Sequence, residues 1–139
     1  MQITTQPVAG DPTVVVLVLE GELDASNYQA VIEAATGARA SGAQRLVVDL
    51  GAVTFMSSSG LVALHTIALA YAGRPAPAEE EGWQAIHSLG LDVDAGERVA
   101  EVRLAAPQGA VIRVLDRTGL SRYFEIHPDR ESALRALRT

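Results

Sequence analysis

The sequence predicts an α/β domain with a mixed sheet of four to five strands flanked by about four helices. Two observations support this fold class. Short segments of β-branched and aliphatic residues alternate along the chain with segments whose apolar residues recur at helical spacing. The chain has 139 residues, of which 48% are hydrophobic, so residues 1–139 can form a single domain around one core. Strands that alternate with helices indicate a sheet covered by helical crossovers.

The first elements are two strands and a helix. Thr13 to Leu19 is a β-branched run that predicts a largely buried strand. Ile3 to Pro7 predicts a shorter strand before it, with a turn between them. A helix is expected from about Ala25 to about Ala40, because residues 24–27 offer N-cap side chains and apolar residues follow at helical spacing.

The next two elements form the middle of the predicted fold. Arg45 to Leu50 is apolar on both faces, which is typical of a central strand, and Gly51 is expected to end it. A second helix is predicted from about Ser58 to Ala72, with Gly73 as its stop.

An insert follows the second helix, because the regular pattern breaks at residues 74–100. Pro75 and Pro77 open this stretch, and one short helix is predicted near Glu79 to Leu89. Trp83, the only tryptophan, lies in it and is expected to pin the insert to the domain or to form part of a contact surface. Segments longer than about 12–15 residues without regular structure are often functional or disordered.

The remaining elements complete an alternating order. They are a strand at Glu101 to Ala105, a third helix that ends near Thr118 and Gly119, a short strand at Tyr123 to Ile126, and a final helix at Arg130 to Arg138. Pro107 is expected in the first turn of the third helix, where its missing N–H costs little. Residues 127–129 are expected to cap the final helix, with Ala133, Leu134 and Leu137 facing inward.

Composition argues against several function classes. A net charge of −6 argues against a nucleic-acid binder, and the absence of cysteine rules out disulfides and thiolate metal sites. No apolar run reaches the roughly 20 residues of a membrane span. The N-terminus lacks the pattern of a signal peptide, so a cytoplasmic location is expected. We find neither a metal-ligand spacing nor a Gly-rich phosphate loop, so no cofactor is predicted.

A run of three serines and a glycine, Ser57 to Gly60, lies at the start of the second helix. Its simplest interpretation is structural, since serine is a favoured N-cap and glycine permits a tight entry into a helix. The same position also suits a switch. Free N–H groups at a helix N-terminus stabilise an added phosphate, and phosphorylation of serine adds about −1.5 to −2 charges at neutral pH.

A serine hydrolase is a weaker alternative for the same serines. The nucleophile elbow requires Gly-x-Ser-x-Gly, which residues 55–60 do not match. A catalytic serine would also need a histidine base oriented by a carboxylate, and none of His65, His87 and His127 has a recognisable partner spacing.

Several segments together resemble one known family. Gly21 to Asp24 (Gly-Glu-Leu-Asp) follows the second strand, and residues 47–56 lead into the Ser-Ser-Gly-Leu start of a helix at Ser58 to Leu61. Thr118 to Leu120 ends another helix, and Phe124 to Ile126 precedes the last one. In this order and spacing they are similar to the STAS domain family, specifically the bacterial anti-sigma-factor antagonists, over about residues 1–73 and 100–139.

The resemblance implies a regulator of transcription and stress response rather than an enzyme. Such antagonists bind, when unphosphorylated, an anti-sigma factor that is also a serine kinase; phosphorylation releases them and a phosphatase resets them. The resemblance places the phosphoacceptor at Ser58, with Ser57 and Ser59 as less favoured acceptors. It also implies a partner-binding surface formed by Glu22, Asp24, Ser57, Ser58, Ser59, Gly60 and Leu61.

Two departures from the family pattern leave alternatives open. The family usually has an aspartate before the acceptor, where this chain has Ser57; the change either weakens kinase recognition or makes Ser57 a second acceptor. The insert at residues 74–100 is longer than the family's few residues and is a candidate for partner specificity. A second hypothesis is therefore a non-switching STAS sensor or scaffold that holds a small ligand or nucleotide. A monomer and a weak homodimer both fit the sequence, although an apolar strand at residues 13–19 would be hazardous as an open edge.

Overall fold

The computed structural model describes residues 1–73 and 99–138 of the chain. The described part contains five strands and five helices, one of which is a single short turn. In chain order they are β1 (Gln2–Val8), β2 (Asp11–Leu23), α1 (Tyr28–Ala40), β3 (Arg45–Met56), α2 (Ser58–Tyr71), β4 (Val102–Ala105), α3 (Gly109–Thr118), α4 (Leu120–Tyr123), β5 (Glu125–His127) and α5 (Arg130–Arg138).

The sheet is mixed, as the sequence predicts. Its strands lie in the order β1-β2-β3-β4-β5. Strand β1 runs antiparallel to β2, and the other pairs are parallel. The predicted central strand is confirmed, since β3 has a neighbour on each side. The apolar run of β2 is also not an open edge, because β1 pairs along it.

Helices cover both faces of the sheet, and strand alternation divides the side chains between them. Leu17 and Val48 belong to the main core, which α1, α2, α3 and α4 also line. Their neighbours Val16 and Val47 point to the other face and pack against α5. On α5 itself, Ala133 and Leu137 are buried and Leu134 is partly buried, which confirms the predicted inward face.

Strand β3 does not end at Gly51, so that prediction is wrong. The strand continues to Met56, and β2 likewise extends beyond Leu19 to Leu23. The ladder between them is interrupted instead of ended, because its register shifts between Val18 and Glu20 and again between Gly21 and Glu22. Bulges of this kind add residues to a strand and bend it without ending the pairing.

Two helices begin later than predicted. Residues 24–27 form a turn, in which Asp24 N–H donates to Asn27 Oδ1 over 3.0 Å, so α1 starts at Tyr28. Such side-chain bonds to the backbone compete with helix formation. Helix α3 starts at Gly109, because Gln108 is extended, with φ −70 and ψ 162. Pro107 therefore precedes the helix and does not lie in its first turn.

The predicted strand at Tyr123 to Ile126 is displaced by a short helix. Helix α4 ends at Tyr123, and β5 begins at Glu125. Leu120 and Phe124 are both completely buried, and Phe124 N–H donates to the carbonyl of Leu120 over 2.9 Å. A helical turn brings residues four apart onto the same face, so both side chains reach the core.

Other predicted helix bounds agree with the structure to within one residue. Helix α2 spans Ser58–Tyr71, α3 ends at Thr118, and α5 spans Arg130–Arg138. The predicted short helix near residues 79–89 and Trp83 lie outside the described residues. Within the ranges 1–73 and 99–138, no helix has both the length and the apolar character needed to cross a bilayer.

Candidate functional site

The ends of β2 and β3 bring the predicted site residues together. In the parallel register, Glu22 lies opposite Phe55 and Leu23 opposite Met56. Ser57 N–H then donates to the Leu23 carbonyl over 2.9 Å, which extends the pairing up to the first residue of α2. The Gly-Glu-Leu-Asp segment and the serine run are far apart in sequence, but they meet where the C-terminal ends of β2 and β3 lie side by side.

Gly60 allows the first turn of α2 to pack closely on the ends of β2 and β3. A Cβ added there would lie 2.7 Å from Met56 Cγ and 2.9 Å from Leu23 Cγ, closer than van der Waals contact permits. The first turn of α2 can therefore rest on Leu23 and Met56 only because residue 60 has no side chain. Leu61 is 2% exposed and continues the same contact into the core.

The three serines differ sharply in accessibility. Ser58 is exposed, whereas Ser59 is only 6% exposed. The Ser57 hydroxyl oxygen is buried and has no hydrogen-bond partner among the described residues. Ser58 is therefore the most accessible of the three serines.

The first turn of α2 has neither a side-chain cap nor an acidic residue. Ser57 occupies the N-cap position, with φ −87 and ψ 177, but its side chain makes no capping hydrogen bond. The partial positive charge of the helix dipole thus faces the serine run without a carboxylate in the first turn itself.

The turn that follows β2 is held in place by its own polar side chains. Asn27 Nδ2 donates to the Glu22 carbonyl over 2.7 Å. The Asp24 carboxylate accepts hydrogen bonds from the Ser26 hydroxyl at 2.5 Å and the Ser26 N–H at 2.9 Å. These two bonds, the hydroxyl first, lower the pKa of Asp24 below its usual value, so it is ionised at neutral pH.

Not every predicted contact residue presents its side chain to solvent. Glu22 is exposed and Asp24 is half-buried, but Gly60 and Leu61 are buried. Phe55, which was not among the predicted contact residues, is 49% exposed beside Glu22. The sequence does not reveal this difference, because the apolar residues Val53 and Met56 on either side of Phe55 are buried.

The histidines do not assemble a serine-hydrolase site in the part of the chain that the structure describes. His65 lies seven residues after Ser58, about two turns along α2. It is 8% exposed, and its ring lies 5.9 Å from that of Tyr123, between centroids. Neither His65 nor His127 hydrogen-bonds a serine of the run within residues 1–73 and 99–138. His87 lies outside the described residues.

Burial of His65 affects its protonation. Its Nδ1 has no hydrogen-bond partner among the described residues. Desolvation lowers the pKa of this imidazole below its ordinary value. A neutral ring is therefore favoured, which suits a residue of the core. Among the described residues, no three His, Asp or Glu side chains come close enough together to hold a metal ion.

A family model for the STAS domain matches residues 6–73 of the chain. This stretch runs from β1 to the end of α2, so it contains the whole of the site described above. No curated protein is similar enough to the chain to count as a match.

The solved structures that match nearly the full chain include those of three proteins. An anti-sigma factor antagonist from Mycobacterium paratuberculosis is 26% identical, with a TM-score of 0.68 over 99% of this chain and 96% of that one. A putative anti-sigma factor antagonist from Thermotoga maritima is 19% identical, with a TM-score of 0.69 over 99% and 95%.

The third is SpoIIAA, described in one structure as an anti-sigma factor antagonist and in another as a Bacillus cell fate determinant. In its unphosphorylated form it is 20% identical, with a TM-score of 0.60 over 97% of this chain and 96% of that one. In its phosphorylated form it is 18% identical, with a TM-score of 0.56 over 97% and 100%. These likenesses extend over β4, β5 and the helices around them, which the family model does not cover. Residues 6–73 therefore match the STAS domain family, and the described chain as a whole has a STAS-like fold.

Proposed function

We propose that the chain is an anti-sigma-factor antagonist that binds an anti-sigma factor with serine kinase activity and is released when that kinase phosphorylates Ser58. The observation that carries the proposal is the exposed position of Ser58 at the start of α2, whose first turn contains no acidic residue, inside the part of the chain that matches the STAS family. Proteins described as anti-sigma factor antagonists match the chain over nearly its full length, which supports the general role.

Accessibility favours Ser58 over its neighbours as the acceptor. A kinase must align the serine oxygen with the γ-phosphorus of ATP, so the hydroxyl has to protrude from the surface. Ser58 meets this requirement, whereas the Ser57 oxygen and the Ser59 side chain are buried. The serine that replaces the family's usual aspartate is thus a poor second acceptor in the folded domain.

The switch follows from charge and desolvation. In the transfer, the Ser58 oxygen forms a bond to the γ-phosphorus, the bond to the β-phosphate oxygen breaks, ADP leaves, and the hydroxyl proton passes to a base of the kinase. The phosphate brings about −1.5 to −2 charges, which the N–H groups of the first turn of α2 stabilise. A partner surface fitted to a neutral hydroxyl would then have to bury a dianion, so the complex dissociates.

A phosphorylation assay tests the proposal directly. The protein would be incubated with ATP and each anti-sigma kinase of its host, and the phosphate located by mass spectrometry of peptides. We expect one phosphate on Ser58, none after Ser58→Ala, and an unchanged yield after Ser57→Ala. Phosphate on Ser57 in the wild type would contradict the assignment, and no phosphate on any of the three serines would contradict the switch.

A groove between β1 and α1 is the observation that favours the alternative of a non-switching sensor. It has a volume of about 490 Å³ and is lined by apolar or small side chains such as Ile3, Val15, Ala34 and Ala38, with Glu33 as the charged member. A small apolar ligand fits this chemistry better than a nucleotide, whose phosphates Glu33 would repel. Ligand binding there together with the absence of phosphorylation would support this alternative.

A further inference from the structure

Phe55 is exposed in a way that the fold does not explain. The chain has two phenylalanines, of which Phe124 is completely buried and Phe55 is 49% exposed. The neighbours of Phe55 in β3, Val53 and Met56, already supply the side chains that this end of the strand contributes to the core. A large aromatic ring in water contributes little to folding, because its apolar area stays hydrated.

A second exposed apolar side chain lies near the same end of the sheet. Met1, which precedes β1, is 41% exposed, and its Cα lies 3.4 Å from a Cβ built on Gly21. Phe55 lies on the opposite side of β2, next to Glu22. The two apolar side chains thus flank the last residues of β2, about two strand spacings or roughly 10 Å apart. Phe55 is the more exposed of the two.

Exposed carboxylates lie on β2 beside Phe55. Glu20 and Glu22 are exposed at alternate positions of β2 between Met1 and Phe55. In the ranges 1–73 and 99–138, neither of them takes part in an ion pair. The face of an aromatic ring is itself electronegative. The exposed ring of Phe55 therefore has negative side chains beside it, which is complementary to an apolar cleft with basic residues at its rim.

We propose that Phe55 is the apolar anchor of the docking surface, inserting into an apolar cleft with a basic rim on the anti-sigma factor. This inference rests on the proposed function and extends it from the phosphoacceptor to the source of the affinity. Ser58 follows Phe55 by three residues. A cleft that binds the ring therefore also holds the acceptor hydroxyl at the surface of the partner kinase. Anchor and switch lie in one continuous segment, residues 55–58.

The two parts of the surface act on different rate constants. A buried aromatic anchor slows dissociation, because the ring has to be rehydrated before the complex separates. Rim carboxylates act mainly on association, since they steer a basic partner through a field that salt screens. Removal of the ring should therefore raise the dissociation rate, and neutralisation of Glu22 should lower the association rate at low ionic strength.

Surface plasmon resonance can separate these effects. The probe is the anti-sigma kinase of the host that binds the wild-type chain most tightly, measured with ADP so that no phosphoryl group is transferred. Phe55→Ala is compared with Phe55→Leu, with Glu22→Gln, and with Ile112→Ala, a matched exposed apolar residue on α3 that is 37% exposed. Thermal unfolding of every variant checks that the fold is retained.

We expect Phe55→Ala to raise the dissociation rate about 10- to 100-fold, the range of an interface hot spot, while its dependence on salt stays unchanged. Phe55→Leu should recover part of the loss, Ile112→Ala should change the affinity less than twofold, and Glu22→Gln should slow association only at low salt. Equal affinity of Phe55→Ala and wild type would overturn the anchor and leave the antagonist role intact. If no anti-sigma kinase binds the wild-type chain, both the role and the anchor are overturned.

Discussion

Gly60 shows at the scale of one residue how the start of α2 depends on close packing. We predict that Gly60→Ala lowers the free energy of unfolding by about 1–3 kcal/mol, the usual cost of overpacking, because the new methyl group collides with Met56 and Leu23. Gly37→Ala is the matched control. Gly37 also lies in a helix, but a methyl group added there would have nothing within 4 Å, so the change should stabilise by about 0.5–1 kcal/mol. Urea titrations measure both, and equal effects would contradict the packing argument.

His65 predicts how stability depends on pH. Because burial lowers the pKa of its imidazole in the folded protein below the ordinary value of 6.5, the unfolded chain binds more protons than the folded one. The contribution of His65 is therefore complete above that value, and it is lost as the pH falls below it toward the lowered pKa of the folded state. His127, whose pKa is lowered by burial and by Arg103, acts in the same direction.

The test compares urea midpoints of the wild type and of His65→Gln between pH 5 and pH 8. We expect the wild type to lose more stability than the variant on acidification through this window. Identical pH profiles would show that the protonation of His65 is not coupled to folding.

At the scale of elements, two helix starts in this chain contrast in how they are capped. Asp129 Oδ1 accepts a hydrogen bond from Ser132 N–H over 2.7 Å at the start of α5, whereas the Ser57 hydroxyl makes no capping bond at the start of α2. A capping serine usually contributes about 1 kcal/mol. We therefore predict that Ser57→Ala leaves the melting temperature unchanged and that Asp129→Ala lowers it. Differential scanning calorimetry measures both melting temperatures. A clear decrease for Ser57→Ala would contradict the absence of a capping hydrogen bond from Ser57.

The sequence predicts the elements better than their ends. The β-branched run of β2 and the apolar run of β3 identify both strands, because such residues suit a buried sheet. The continuation of β3 through Gly51 depends on bulges in its ladder with β2, which only the paired strand reveals. Helix α4 escapes prediction for a similar reason, since its four residues turn to place Leu120 and Phe124 in the same core.

The candidate site is predictable to a similar extent. Motif order brings the segments around Glu22 and Ser58 into one family pattern, and the register of β2 with β3 then explains why they meet. Accessibility within the site is not visible in the sequence. The sequence does not distinguish the three consecutive serines. Only the packing of α2 on the sheet determines that Ser58 is exposed and Ser59 is buried.

On the scale of the whole molecule, Arg130 connects three elements on the face that α5 covers. Its guanidinium donates to Asp49 Oδ2 at 2.8 and 3.1 Å and to Gln6 Oε1 at 2.8 Å, so it joins α5 to β3 and β1. We predict a coupling energy of about 1 kcal/mol between Arg130 and Asp49 in a double-mutant cycle, because two guanidinium nitrogens donate to the carboxylate but the pair is partly solvated.

Unfolding of Arg130→Ala, Asp49→Ala and the double variant measures this coupling. Hydrogen exchange should at the same time show faster exchange of the α5 amides in Arg130→Ala than in Arg135→Ala, whose guanidinium donates to Ser132 at 3.3 Å on the same helix. Additive energies and equal exchange would mean that apolar contacts alone hold α5 on the sheet.

The close approach of α2 to the sheet also bears on how a mutational library of this protein would be interpreted. Any substitution at Gly60 adds atoms that Leu23 and Met56 leave no room for, so every variant there would score as defective in a selection for binding. Substitutions at Phe55 would score in the same way for an unrelated reason. Its side chain is exposed, so they would remove the proposed anchor without disturbing the fold. If growth were the only readout of the library, both positions would be assigned to the binding interface. Sorting the same library first for folded, protease-resistant protein would separate the residue that shapes the surface from the residue that touches the partner.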